Sequence, residues 1–183
     1  MNAVANKFES FEWLTHGLNA KSPQFGDEGH STGEKPLDYQ DRLGAIASMD
    51  TQLEKSITRV IIYGESSKSD YEFIRNHLAK IMMDGAHEDK RREPEGIAIY
   101  HLAWQIAGMV IDFSLNPALE DNFTAKGRLY YAGLKDGQIG VDAYRFTWKS
   151  YEKLMIISLE ISIKCAAEAI EKYKKQTFCD VKI

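Results

Sequence analysis

The strongest constraint on the fold is an apolar rhythm of helical period toward the C-terminus. Val141, Tyr144, Trp148, Tyr151 and Met155 recur at the spacing that puts them on one face of a helix. The stretch Leu154, Met155, Ile156, Ile157, Leu159, Ile161 and Ile163 is then apolar nearly all round. Ala166, Ile170 and Tyr173 carry the pattern on toward Gln176. A helix of this kind needs cover on at least one side. Burial in the core is the expected cover, and self-association through this C-terminal helix is the alternative.

The same period governs the chain upstream. Phe8, Phe11 and Trp13 mark a short amphipathic turn, followed by a polar, Gly- and Pro-containing arm from Asn19 to Pro36. Leu37, Leu43 and Ile46 predict one face of a helix that opens near Asp38. Asp50 or Thr51 is placed to cap the next, which carries Leu53, Ile57, Val60 and Ile61 and stops at Gly64. Ser69 or Asp70 is placed to cap a third, with Tyr71, Ile74, Leu78 and Ile81, ending near Gly85. His87 to Glu95 is almost wholly charged and is expected to be a solvated connector. A helix from about Glu95 to Leu115, with Pro94 at its start, is apolar on most faces and is expected to be central. There are no internal repeats and little strand signal. The expected fold is mostly α: a helical bundle body, a helix-turn-helix-like C-terminal module and a long C-terminal helix. The expected divisions are 1–36 for the N-terminal segment and arm, 37–121 for the body and 122–183 for the module.

Composition bounds the class. Apolar residues make up 44% of the 183 and charged residues 27%, so the chain can bury a core. Cys165 and Cys179 form no CxxC pair, and the first residues lack a signal-peptide core, so a reducing compartment is expected. Ile97 to Leu115 is interrupted by His101, Gln105 and Asp112, which fits a buried helix rather than a membrane span. Net charge is −4, unevenly spread. From Phe123 onward there are 11 Lys/Arg against 7 Asp/Glu, a net of +4; residues 1–122 carry 12 against 20, a net of −8. A basic end on an acidic body points to a polyanion at one end and a protein partner elsewhere.

The basic end has an order suited to nucleic acid. Asn122 to Gly133 predicts a short helix capped by Asn122 or Thr124. Lys135 to Gly140 is turn chemistry, and the long helix opens at Val141. Asp142, Arg145, Lys149 and Glu152 fall on a face beside the apolar one. In a helix-turn-helix, one helix crosses the backbone and the next sets its first residues against base edges. On that layout Arg145 would read guanine, and Gln138 or Asp142 would reach other bases. Lys126, Arg128, Lys149 and Lys153 would neutralise phosphates. The same spacing also fits an ordinary helical hairpin with a charged outer face.

Two segments carry a resemblance. The first is Ala20-Lys21-Ser22-Pro23-Gln24-Phe25-Gly26-Asp27 with the later Asp38-Tyr39-Gln40-Asp41-Arg42-Leu43-Gly44-Ala45. The second is Arg145 to Leu154, ending Tyr151-Glu152-Lys153-Leu154. They resemble the Lys-Ser-Pro arm and the C-terminal recognition helix of the Q antitermination proteins of lambdoid phages. Some members of that family carry two cysteine pairs in a zinc-binding insertion, which this chain lacks, so the resemblance implies a shorter, zinc-free version. It implies binding to double-stranded promoter DNA and to bacterial RNA polymerase with its sigma factor, in the cytoplasm of the host. The polymerase is then made to resist pauses and terminators. The rival from another class is a helical protein-interaction or inhibitor protein that never touches DNA.

Enzymatic signatures are absent from the sequence. His16, His30, His77, His87 and His101 show no metal-ligand spacing. Gly64 to Ser69 lacks the second glycine of a phosphate loop. Asp112 is expected to close a structural hydrogen-bond network. Neither a cofactor nor a catalytic residue is expected.

Overall fold

In the computed structural model, residues 7–15, 39–135 and 137–179 are described. The N-terminal arm, with its Lys-Ser-Pro segment, lies outside them, as do Leu37, Asp38, His16 and His30. The described residues are mostly helical, with no strand among them. The chain divides into two compact units, Met1–Ser66 with Ile163–Ile183, and Ser67–Ser162.

The first unit holds α1 (Glu9–Thr15), α2 (Tyr39–Ala47), α3 (Gln52–Tyr63) and the end of the long helix. Helix α1 buries Phe11 and Leu14. The carbonyl of Leu14, near the end of α1, accepts a 2.9 Å hydrogen bond from Arg42 Nε, which satisfies one of the orphan acceptors at a helix C-terminus. That role turns α2 relative to its expected face: Arg42, Ala45 and Ile46 are buried, while Leu43 is 44% exposed. Helix α3 starts as its sequence predicts. Thr51 accepts from the backbone of Glu54 at 3.2 Å, and the Glu54 carboxylate accepts from the backbone of Asp50 and Thr51, a reciprocal cap. It stops at Gly64, whose φ of +53° suits glycine. Gly44 leaves room for the ring of Tyr173, which a Cβ there would strike.

The second unit holds α4 (Lys68–Glu88), α5 (Ile99–Leu115), the turn-length α6 (Pro117–Glu120), α7 (Ala125–Tyr131), α8 (Val141–Ala143) and the first part of α9 (Lys149–Cys179). A π-helical turn, Tyr144–Trp148, joins α8 to α9. Helices α4 and α5 pack antiparallel: Tyr71 bonds to Asp112, and Arg75 Nε donates to the carbonyl of Trp104 at 2.9 Å. The guanidinium of Arg75 also lies 3.1 Å from the Trp104 ring centroid. Helix α5 is the expected centre, with Leu102, Ile106, Met109 and Ile111 fully buried.

Three boundaries differ from the pattern. Helix α4 begins after Ser67 without a side-chain cap, so neither Ser69 nor Asp70 caps it. It runs through Gly85, where the missing side chain admits the ring of Tyr151; a Cβ would meet that ring at 3.0 Å. Helix α5 starts at Ile99 instead of Glu95. Its first amide is capped from upstream by Glu93 at 3.3 Å, and Gly96 is pressed against the backbone of Gly137 and Gln138. The charged connector is also less free than its composition predicts. Tyr151 donates to Asp89 at 2.5 Å and accepts from Arg91 Nε at 3.0 Å.

Candidate nucleic-acid interface

Helix α7 forms where its cap predicts: the Thr124 hydroxyl accepts from the backbone of Gly127 at 3.2 Å. The chain leaves it through Gly133, at φ +90°, and turns again through Gly137, at φ +93°. Lys135 N donates to the side chain of Gln138 at 2.8 Å, closing the turn on itself. The connection spans residues 132–140, longer than the roughly three to four residues of a compact helix-turn-helix. In the π turn that follows, the amide of Lys149 bonds to the carbonyl of Tyr144. Tyr144, Trp148, Tyr151 and Met155 are buried, as the periodicity requires.

What fixes α7 against the long helix is a buried carboxylate. Glu152 has no exposed surface. It accepts from Arg128 Nη2 at 2.7 Å, from Lys149 Nζ at 2.5 Å and from the Tyr144 hydroxyl at 2.5 Å. Arg128 also pairs with Glu120. Two cations therefore face two carboxylates, which is the condition under which buried charge is tolerated. Burial, followed by the nearby Glu152 charge, pushes the Tyr144 hydroxyl well above the usual tyrosine value. Beside this cluster, Asp112 accepts from Tyr71 and from Tyr131, each at 2.9 Å. Desolvation, then the Asp112 hydrogen bond, raises the Tyr131 hydroxyl to about 12. Asp112 thus closes a network joining α4, α5 and α7. The ring of Tyr131 stacks on Phe113 at 5.0 Å, and Phe123 completes the aromatic group.

The sequence-predicted contact residues separate into two groups. Lys126, Asp142, Arg145 and Lys153 are exposed. The Arg145 guanidinium lies 5.4 Å from the ring centroid of Phe146, itself 78% exposed. Arg128 and Lys149 pair with the buried Glu152, and Gln138 bonds within its own turn. Glu152, placed by spacing on the outer face, is instead fully buried. The spacing puts Glu152 three residues after Lys149, the only hint of their pairing that the sequence holds. The stack of Arg75 on Trp104 and the tyrosines on Asp112 had no sequence signal, because their partners are distant in the chain.

Among the described residues, no group of three or more His, Cys, Asp or Glu is placed to hold a metal ion. No helix among them is long and apolar enough to cross a membrane. Two grooves lie in the first unit. One of about 600 Å³ runs between Ser10 and the Lys164–Gln176 stretch and is open and charged at its rim. Its smaller neighbour is lined by Asp50, Glu54, Cys165, Glu168 and Lys172 among others. No family model, no curated protein and no solved structure matches this chain.

Proposed function

We propose that the protein is a Q-type transcription antitermination factor, which binds promoter DNA through the start of its long helix and engages RNA polymerase through other surfaces. The observation that carries this reading is Arg145. It stands exposed where α8 leads into α9, beside a short helix clamped to the same element by Arg128 and Glu152. A guanidinium presented by a rigid helix start is the group suited to guanine in the major groove. The exposed Lys126 and the net +4 of the C-terminal stretch support it. So does the resemblance of Arg145 to Leu154 to the recognition helix of the Q proteins. In this reading Arg128 and Lys149 set the geometry of the reading helix, and Arg145 with Asp142 meets base edges. The protein acts by recognition and makes or breaks no bond.

Fluorescence anisotropy on a labelled late-promoter duplex, with and without RNA polymerase holoenzyme, tests it. The wild type is expected to bind more weakly as salt rises, and Arg145→Ala to weaken binding at least about tenfold. Equal binding by Arg145→Ala, or no binding to any promoter fragment with holoenzyme present, would reject the proposal.

A further inference from the structure

One face of α9 remains uncovered. Leu154, Ile157 and Ile161 are 48, 54 and 58% exposed, while Met155, Leu159 and Ile163 on the opposite face are buried. Three large aliphatic side chains in one lane form a patch of the kind that marks an interaction surface.

The lane has an internal order that selects its occupant. At about 3.6 residues per turn, Ile157 lies at its centre. Leu154 and Ile161 fall on one flank, and Lys153 and Glu160 on the other. Suppose a second copy of α9 lies antiparallel on this face, related by a two-fold axis through Ile157. The axis keeps each flank on its own side and reverses the direction of the chain. Leu154 then meets Ile161 of the other copy, Ile157 meets its own counterpart, and Lys153 meets Glu160, twice over. In a parallel pair the flanks would exchange, and Leu154 and Ile161 would face Lys153 and Glu160. The face is its own complement in the antiparallel arrangement alone, the condition for a closed two-fold interface.

We infer that the protein forms a homodimer through antiparallel pairing of α9 about Ile157. Lys153 then serves the second copy rather than a phosphate. Arg145 and Lys126 take no part in it, so the dimer forms whether or not DNA is bound.

Sedimentation of the full chain over a concentration series tests the dimer. The wild type is expected to show a reversible monomer–dimer equilibrium. Ile157→Asp should raise its dissociation constant at least about tenfold while leaving the thermal melt of the monomer cooperative, because Ile157 is half exposed. Lys153→Glu should weaken the dimer by like-charge repulsion against Glu160, and the double swap Lys153→Glu with Glu160→Lys should restore it. With Cys165 and Cys179 replaced by Ser, Ile157→Cys should form an intermolecular disulfide under mild oxidation. A chain that stays monomeric throughout overturns the inference. So does a dimer indifferent to Ile157→Asp, a double swap that fails to rescue, or an Ile157→Cys variant that does not cross-link.

Discussion

At the scale of single residues, the molecule turns on carboxylates placed where charge is costly. Removing Glu152 by Glu152→Ala leaves Arg128 and Lys149 without their shared acceptor and Tyr144 without its own. Breaking such a buried set costs about 3–5 kcal/mol, so urea denaturation should show a clear fall in midpoint, with the start of α9 the first element to loosen in hydrogen exchange. The tyrosines give a pH signature. Tyr144 and Tyr71 are held above the ordinary value of 10 by burial and by their carboxylate neighbours, and Tyr131 is raised to about 12. A raised value means that the folded state keeps its proton when the unfolded state has lost it. Their stabilisation is therefore complete below about pH 10 and declines as pH climbs toward the folded values. Chemical denaturation at stepped pH from 8 to about 12 should show stability flat at first and then falling. Tyr144→Phe should make the alkaline fall shallower, and an unchanged fall would remove Tyr144 from this account.

At the scale of elements, the helix boundaries separate local from distant causes. The start of α3 is local: Thr51 and Glu54 cap each other across a single turn. Thr51→Ala should cost about 1 kcal/mol, read as a small drop in melting temperature, and Thr51→Ser should recover most of it. The delayed start of α5 is distant in origin. Gly96 touches a turn some forty residues on, and a Cβ there would stand 2.5 Å from the Cα of Gln138 and 2.6 Å from the carbonyl oxygen of Gly137. Backbone cannot rotate out of the way as a side-chain tip can. Gly96→Ala should therefore destabilise by about 1–3 kcal/mol, measurable by thermal melting, whereas Gly140→Ala, with nothing within 4 Å, should be nearly silent. The faces of helices were legible where period alone sets them: Tyr144, Trp148, Tyr151 and Met155 are buried, as their spacing demands. Leu43 was misread because the buried place went to Arg42, whose hydrogen bond to Leu14 spans an interval that no periodicity reports.

At the scale of the whole molecule, the charge asymmetry acts through the cations that folding leaves at the surface. Sequence spacing offers Lys126, Arg128, Lys149 and Lys153 to phosphates and Arg145 to a base edge, but the structure engages Arg128 and Lys149 within the molecule. For the proposed DNA binding, with Lys126 and Arg145 as the available cations, the slope of log affinity against log salt should be roughly −2 per protomer. Adding Arg128 and Lys149 would give about −3.6. A titration series in potassium chloride distinguishes these values, and the steeper one would mean that the Glu152 cluster opens on binding. The sequence by itself determined the helical class, the stop at Gly64, the caps to one of two neighbouring candidates each (Asp50 or Thr51, Asn122 or Thr124), and the buried face of the long helix. Period and capping act within a turn or two, so neighbouring residues suffice to set them. Only tertiary structure decided which charges turn inward, that Asp112 gathers Tyr71 and Tyr131, and that Leu154, Ile157 and Ile161 stay uncovered. Those outcomes depend on which distant element reaches each side chain, and burial makes pairing obligatory only once packing has removed the water.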